Sequence, residues 1–377
     1  MSHPPLDEPT QDARSAWEAR WAEKRPLIEL GLRDLALWLD DTLELGVAQL
    51  LHAGPRGALD LAARMMNVEC KGVSKRLERL ASLLGDESRR VNERYLDAAR
   101  PGEARALEPL ERVALSLGEL WLIASAGARV DDLTFEARVS LLTEVGLSEP
   151  PKEVRLKPPI EGQWVALASA LEREGALRER RTWVARLAPV GERPGAAGLS
   201  GWGLCLDYAF GPSPLPPQLA RGERVSPHLR PFEGVAPRRL LAHPTEGLPA
   251  SEGDAPVLFG AGRLSPDEWA RLPWAEDLSA ALDGRAEALA CAPWRDLTPL
   301  PVREVTLSSR PAAAEGDPLW VIDARGDALP LAPLELSARR RWLAVGAEGG
   351  CALLAESTAS GHRPLCLVSP RGEVVYA

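Results

Sequence analysis

The hydrophobic pattern of the chain changes at a proline-rich stretch, and this change limits what the chain can fold into. Residues 149–159 read Glu-Pro-Pro-Lys-Glu-Val-Arg-Leu-Lys-Pro-Pro. Before this stretch, apolar residues recur every three or four positions, which is typical of amphipathic helices. After it, apolar and polar residues alternate in short runs, which is typical of strands. We therefore predict an α+β protein, in which an N-terminal all-helical domain precedes a mixed, mostly antiparallel β-rich domain with a few helices.

The same pattern gives the domain limits. Residues 1–12 are polar and proline-rich, and we expect them to be disordered. Residues 13–148 form the helical domain, and residues 149–159 form a linker whose prolines keep its centre from being helical. Residues 160–377 form the β-rich domain, and a subdivision near residue 300 stays open.

Seven helices are predicted in the first domain. Pro26 either ends the first helix or opens the second, and Gly85 is a C-cap between the fourth and the fifth. The residues predicted on the inner face of the sixth helix are Leu110, Val113, Leu117, Trp121 and Ala124. The predicted helices cover residues 13–25, 27–51, 58–68, 72–84, 87–99, 109–126 and 134–145.

The second domain is predicted to open with a short helix around Trp164, Leu167 and Leu171. Strands follow at 180–187 and 202–210, which form a hairpin if they pair in antiparallel fashion. Ser265 and Glu268 form a capping box that starts a short helix, and a longer helix follows. That longer helix covers residues 275–290, and the other predicted strands cover 239–242, 257–259, 301–307, 319–324, 342–346, 351–357, 364–369 and 373–376, the last six as a meander or small barrel.

Composition restricts the compartment and the class of partner. The net charge of −9 lacks the basic footprint of most nucleic-acid binders, although a local basic face stays open. The five cysteines show no paired spacing, and Cys205 and Cys366 lie in apolar runs, where we predict buried thiols in a reducing cytosol. No signal peptide and no apolar run of about 20 residues is present, so we expect a soluble, cytoplasmic protein.

Motifs that carry chemistry are missing from the sequence. No phosphate-binding P-loop occurs, and Gly260-Ala-Gly262 is interpreted as a turn. Ser200 lies in a sequence that only resembles a nucleophile elbow, because Trp202 replaces the second glycine. The five histidines have no metal-site spacing and are interpreted as solvated. Adjacent carboxylates have structural explanations: Asp131-Asp132 complements the dipole of the following helix, and Asp86 caps the next one. We therefore expect no catalytic, cofactor-binding or metal-binding residues.

Two sets of residues are candidates for contact with a partner. Tryptophan is enriched at binding hot spots, and three of the twelve tryptophans lie in short or terminal elements with limited core behind them. These are Trp17, Trp21 and Trp269. The second set is a basic cluster, which is more simply explained as a solvated helical face. The cluster comprises Lys71, Lys75, Arg76, Arg79, Arg89, Arg90 and Arg94, and the predicted contacts among them are Lys71, Lys75, Arg79, Arg90 and Arg94.

Several short stretches, taken in order, resemble a bacterial family of SWIM zinc-finger proteins. They include Arg-Asp-Leu-Ala-Leu-Trp at 33–38, Arg-Arg-Thr-Trp at 180–183 and Ala-Leu-Ala-Cys-Ala-Pro-Trp at 288–294. The resemblance concerns the region after the zinc finger, since this sequence contains no Cys-x-Cys…Cys-x-His zinc site. Such proteins are usually predicted beside a MoxR-type AAA+ ATPase and a protein with a von Willebrand factor A domain.

The resemblance implies a non-enzymatic accessory or adaptor subunit that works with those two partners by protein–protein interaction. Two alternatives stay open. The protein could be a nucleic-acid-associated factor that uses the basic face between Lys71 and Arg94. It could also be an unrecognised enzyme, which predicts a deep polar pocket around the loops after Phe210.

Overall fold

The chain divides into two units whose secondary structure differs. The computed structural model describes residues 11–94, 109–191, 199–216, 219, 221–222, 224–225, 229–242, 264–295, 297–309, 318–359 and 361–377. Residues 1–149 and 291–296 form the helical unit, and residues 150–290 and 297–377 form the β-rich unit. A helical region followed by a β-rich region confirms the predicted fold class. The segment 291–296 was expected in the β-rich domain, but it belongs to the helical unit.

Six α-helices and one 3-10 turn, Val130–Asp132, make up the described part of the helical unit up to Val145. The helices are α1 (Gln11–Leu45), α2 (Val47–Ala53), α3 (Arg56–Asn67), α4 (Lys71–Arg94), α5 (Pro109–Gly127) and α6 (Phe135–Val145).

Two predicted helix breaks do not occur. Pro26 lies inside α1, whose buried face runs from Trp17 to Leu39, and this packing outweighs the hydrogen bond that a proline removes. Gly85 lies inside α4 rather than capping it. A glycine inside a helix costs only about 1 kcal/mol relative to alanine, which the buried face of α4 can offset.

The β-rich unit begins with α7 (Pro151–Val154), within the stretch predicted to be non-helical. Pro151 is at the first helical position, where its missing N–H has no intrahelical partner to lose. The other elements are β1 (Gln163–Glu174), β2 (Leu177–Leu187), β3 (Trp202–Phe210), β4 (Leu229–Pro231), β5 (Arg238–Ala242), α8 (Pro266–Ala270), α9 (Leu278–Cys291), β6 (Thr298–Ser308), β7 (Trp320–Ile322), β8 (Ala328–Pro330), α10 (Leu336–Gly346), β9 (Cys351–Thr358), β10 (Gly361–Val368) and β11 (Val374–Tyr376).

These strands form two sheets. The first has the order β1-β2-β3-β5-β4, in which β3 and β5 are parallel and the other pairs antiparallel. The second has the order β11-β10-β9-β6-β7-β8 and is antiparallel throughout. The predicted hairpin of β2 and β3 is confirmed, as are the capping box at Ser265 and the strand at 239–242. The strand predicted at 257–259 lies outside the described residues.

Two elements differ from the prediction. The segment around Trp164 is strand β1 rather than a helix, because both of its faces are buried: Trp164 packs in one core and Val165 in another. A strand that is buried on both faces is apolar throughout, so its sequence lacks the alternation of apolar and polar residues by which strands are recognised. The segment 342–346 is the end of helix α10 rather than a strand, and its Trp342 is fully buried against the second sheet.

Candidate protein-interaction surface

The three tryptophans predicted to contact a partner are buried. Trp17, Trp21 and Trp269 are 3%, 4% and 6% exposed. The prediction that little core lies behind them is wrong, since α1 is one continuous helix that keeps Trp17 and Trp21 on its buried face. Trp269 lies in the core between the two sheets. In this fold their rings are therefore packing residues rather than exposed anchors.

Of the five cations of α4 that were predicted to contact a partner, the structure describes the side chains of three. Lys71 forms an ion pair with Glu69 at 3.6 Å, while Lys75 and Arg79 are partly buried. The side chains of Arg90 and Arg94 lie outside the described part of the structure. The described cations of α4 therefore do not form an open basic patch.

Arg76, on the same helix, is turned inward and 7% exposed. Its Nη2 donates to Glu144 Oε2 at 2.6 Å and to the Trp294 carbonyl at 3.4 Å, and its Nη1 donates to Glu119 Oε2 at 3.4 Å. One arginine thus joins α4, α5, α6 and the segment 291–296. The role of this group is to hold the helical unit together.

The side of α5 that faces away from the bundle is apolar. Val113, Leu117 and Ala124 are buried on the inner face of α5, as predicted, and Leu120 and Ile123 are buried beside them. Leu110 and Trp121, which were predicted to face inward, are each 48% exposed. We use the name "α5 face" for four exposed residues at positions i, i+4, i+8 and i+11, namely Leu110, Ala114, Gly118 and Trp121.

The four residues of the α5 face carry no charge, and Glu111, which is partly buried, lies at its border three residues before Ala114. A Cβ atom added at Gly118 would meet no atom of the described residues within 4 Å. The neighbours of Trp121 at three and four residues along the helix are Leu117, Gly118, Ala124 and Ser125, and none carries a charge. Contiguous exposed apolar patches of more than a few hundred Å² mark interaction sites, and the α5 face is the candidate for such a patch on this helix.

Leu37 on α1 is a useful contrast. It is 65% exposed, but its neighbours at three and four residues along the helix are Arg33, Asp34, Asp40 and Asp41. An isolated leucine among charged residues is ordinary protein surface. Sequence periodicity alone did not distinguish the two cases, because it cannot tell which part of a mostly apolar helix faces the bundle.

A buried charge cluster joins the two sheets of the β-rich unit. Glu356 on β9, 1% exposed, accepts hydrogen bonds from Arg181 Nε and Nη2, each at 3.2 Å, and from Trp183 Nε1 at 2.9 Å. Arg181 also contacts Glu172 and Glu179. Burial opposes the charged guanidinium, but the hydrogen bonds and charges of Glu172 and Glu356 raise the pKa of Arg181. The cluster is fully paired and has the geometry of a structural anchor.

The residues considered for chemistry are dispersed. Ser200 lies in the turn before β3, and Asp131 is paired with Arg25 at 2.7 Å. Cys205 and Cys366 are buried free thiols, as predicted, and burial raises the pKa of Cys366 to about 12. His362 differs from the predicted solvated histidine, since it is partly buried on β10 and bonded to Ser357. His3, His228, His243 and most loops after Phe210 lie outside the described residues.

Two kinds of structural feature are absent from the described residues. Within them, no three His, Cys, Asp or Glu side chains are grouped closely enough to hold a metal ion. None of the helices there has the length and apolar character needed to cross a bilayer.

Comparison with known proteins relates the helical unit to one domain family. Residues 23–145, which run from within α1 to the end of α6, match the model of the SWIM-associated four-helix bundle domain. No curated protein and no solved structure matches the chain. The predicted relation to SWIM-family proteins is thereby confirmed for residues 23–145.

Proposed function

We propose that the protein is a non-enzymatic accessory or adaptor subunit that acts by protein–protein interaction. The observation that carries this proposal is the α5 face, an uncharged and exposed side of a helix in the bundle that matches the SWIM-associated domain. An aromatic side chain on an apolar surface is the usual centre of a binding hot spot, and Trp121 supplies one.

The chemistry of the α5 face favours an apolar helix as its occupant. Ala114 and Gly118 are small, so a second helix could approach the backbone of α5 closely between them. Leu110 and Trp121 would flank such a helix on the two sides of this shallow region. The face has no charge to pair, so the partner would contribute apolar side chains rather than a basic or acidic segment.

The identity of the partner rests on the sequence resemblance. Proteins of the family that the sequence resembles are usually predicted beside a MoxR-type AAA+ ATPase and a protein with a von Willebrand factor A domain. Of these two, we propose that the ATPase contributes the helix that binds the α5 face. The von Willebrand A protein would then bind elsewhere on the chain or through the ATPase.

Co-purification tests this proposal. The full chain is expressed with both partners, with and without nucleotide, and the retained proteins are identified. We expect a complex with the wild type, loss of the ATPase with Trp121→Arg, and retention with Leu37→Arg, which adds the same charge to an exposed leucine of α1. The absence of any complex under all nucleotide conditions would refute the adaptor role, and equal retention by both variants would refute the α5 face.

A further inference from the structure

Three polar side chains form a row at the end of the second sheet. Thr298 on β6 is paired with Ser357 on β9, and Ser357 is paired with His362 on β10. Directly paired residues point to the same face of a sheet, and neighbouring strands are about 4.8 Å apart. On that face the next paired residues, Leu300 on β6 and Ala355 on β9, belong to the apolar core, so the polar row begins where this core ends.

Helix α9 places an arginine over the same end of the sheet. Leu278 and Ala281 belong to that core, and Arg285 follows Ala281 by one helical turn. Arg285 Nη2 donates to the carbonyl of Thr358, the residue after Ser357, at 3.3 Å. The charge of Arg285 also acts on His362, which places the guanidinium beside the row.

The guanidinium of Arg285 has unused binding capacity. Its Nε is buried and has no hydrogen-bond partner among the described residues. Burial lowers the pKa of Arg285, and no acidic side chain in the described part of the chain opposes that effect or forms an ion pair with it. A partly buried cation without a counter-ion is costly, and an anion would offset that cost.

Thr298 adds a second unused group. Its side chain is 1% exposed, yet its hydroxyl makes no hydrogen bond within the described residues. A buried hydroxyl without a partner costs on the order of 1–3 kcal/mol. A bound acceptor would remove this cost.

His362 completes the set of donors. Its Nδ1 lies 2.7 Å from Ser357 Oγ. Burial, and then the charge of Arg285, lower the pKa of His362, so the imidazole is neutral at pH 7. If the Ser357 hydroxyl donates to Nδ1, the proton of the imidazole is on Nε2, which is then a donor.

We propose that Arg285, Thr298 and His362 bind a small oxyanion, either a phosphate group or a carboxylate. A cation, a hydroxyl and an imidazole N–H are the donors that such groups accept from in proteins. The site belongs to the β-rich unit, and it does not depend on the adaptor role of the α5 face.

The test uses the full chain with inorganic phosphate or with acetate. The imidazole NMR signal of His362, assigned with His362→Asn, is followed as each anion is added, and the thermal midpoint is measured in parallel. We expect a saturable shift of that signal and a rise in the midpoint at millimolar anion. Binding of phosphate alone indicates a phosphate ligand, and binding of both indicates a general oxyanion site.

Two variants and a control make the test specific. Arg285→Gln should abolish the response, while Arg303→Gln, which removes an exposed ion pair between β6 and Glu276, should retain it. Thr298→Val should weaken binding about tenfold, the equivalent of about 1.4 kcal/mol, without destabilising the anion-free protein, because the lost hydroxyl had no partner among the described residues. No saturable shift with either anion, or the same shift in Arg285→Gln and Thr298→Val as in the wild type, would overturn the proposal.

Discussion

Glu356 is the residue on which the contact between the two sheets of the β-rich unit depends most. Its carboxyl group is 1% exposed and accepts hydrogen bonds from Arg181 and Trp183. The sequence placed Arg181 and Trp183 on one strand, but Glu356 lies 175 residues after Arg181, and no local pattern connects them. Sequence periodicity finds strands, whereas it does not find the partner of a buried charge.

We predict that Glu356→Gln destabilises the protein by about 3–5 kcal/mol, because it leaves the buried guanidinium of Arg181 without its counter-charge on β9. Urea denaturation measures the loss. Arg363→Gln is the matched control: its ion pair with Glu172 at 3.4 Å is 46% and 44% exposed, and its removal should cost less than about 1 kcal/mol. Similar losses in both variants would contradict the assignment of Glu356 as the anchor.

His362 predicts a pH dependence of stability. Its folded-state pKa is lowered by burial and by Arg285, so the unfolded chain binds a proton more readily. The contribution of His362 to the free energy of unfolding is fully present above its unfolded-state pKa of about 6.5. It is lost as the pH falls below that value and through the lower pKa of the folded state. Denaturation between pH 7 and pH 5 should show this loss reduced in His362→Asn, and unchanged in His52→Asn, on the exposed end of α2. An identical pH profile for wild type and His362→Asn would refute it.

At the scale of elements, the sequence predicts the type and order of the helices and strands better than it predicts where they end and which of their faces are buried. The alternation of apolar and polar residues predicted β2 and β3, and the capping box predicted α8. The errors at β1, α10 and α5 have one cause, which is that tertiary contacts decide which faces of an apolar segment are buried. Trp121, the aromatic residue at one end of the α5 face, was predicted to face inward for this reason.

Gly118 gives a prediction that belongs to α5. It lies inside the helix, on the open α5 face, so Gly118→Ala should stabilise the protein by about 0.5–1 kcal/mol through helix propensity. The same change at Gly72 should destabilise, because its Cβ would lie 1.9 Å from the Glu144 carbonyl oxygen. Thermal denaturation of both variants tests this contrast. A loss of stability in Gly118→Ala would show that the α5 face is covered within the protein.

At the scale of the whole molecule, the helical unit includes residues far from it in the sequence. Trp294, 2% exposed, donates from Nε1 to Ser140 Oγ at 3.4 Å, and its carbonyl accepts from Arg76. The sequence assigned Trp294 to the end of a helix in the β-rich domain. A long-range contact of one short segment has no periodic signal, which is why the domain limits could not be predicted in full.

We expect Trp294→Ala to destabilise the helical unit by about 3–5 kcal/mol, since it removes a buried indole. Hydrogen exchange of the amides in α4 and α6 should accelerate. Trp121→Ala is the control, because the exposed indole should cost less than about 1 kcal/mol. Unchanged exchange in α4 and α6 of Trp294→Ala would contradict the inclusion of 291–296 in this unit.

The affinity of the full chain for the AAA+ ATPase tests the proposed function most directly. It is measured by calorimetry for the wild type and for Trp121→Ala, at low and at high salt. We predict that Trp121→Ala weakens binding at least about tenfold, and that the wild-type affinity changes little with salt because the α5 face is uncharged. An unaltered affinity in Trp121→Ala, together with a steep loss of wild-type binding in high salt, would contradict the α5 face and favour a charged surface instead.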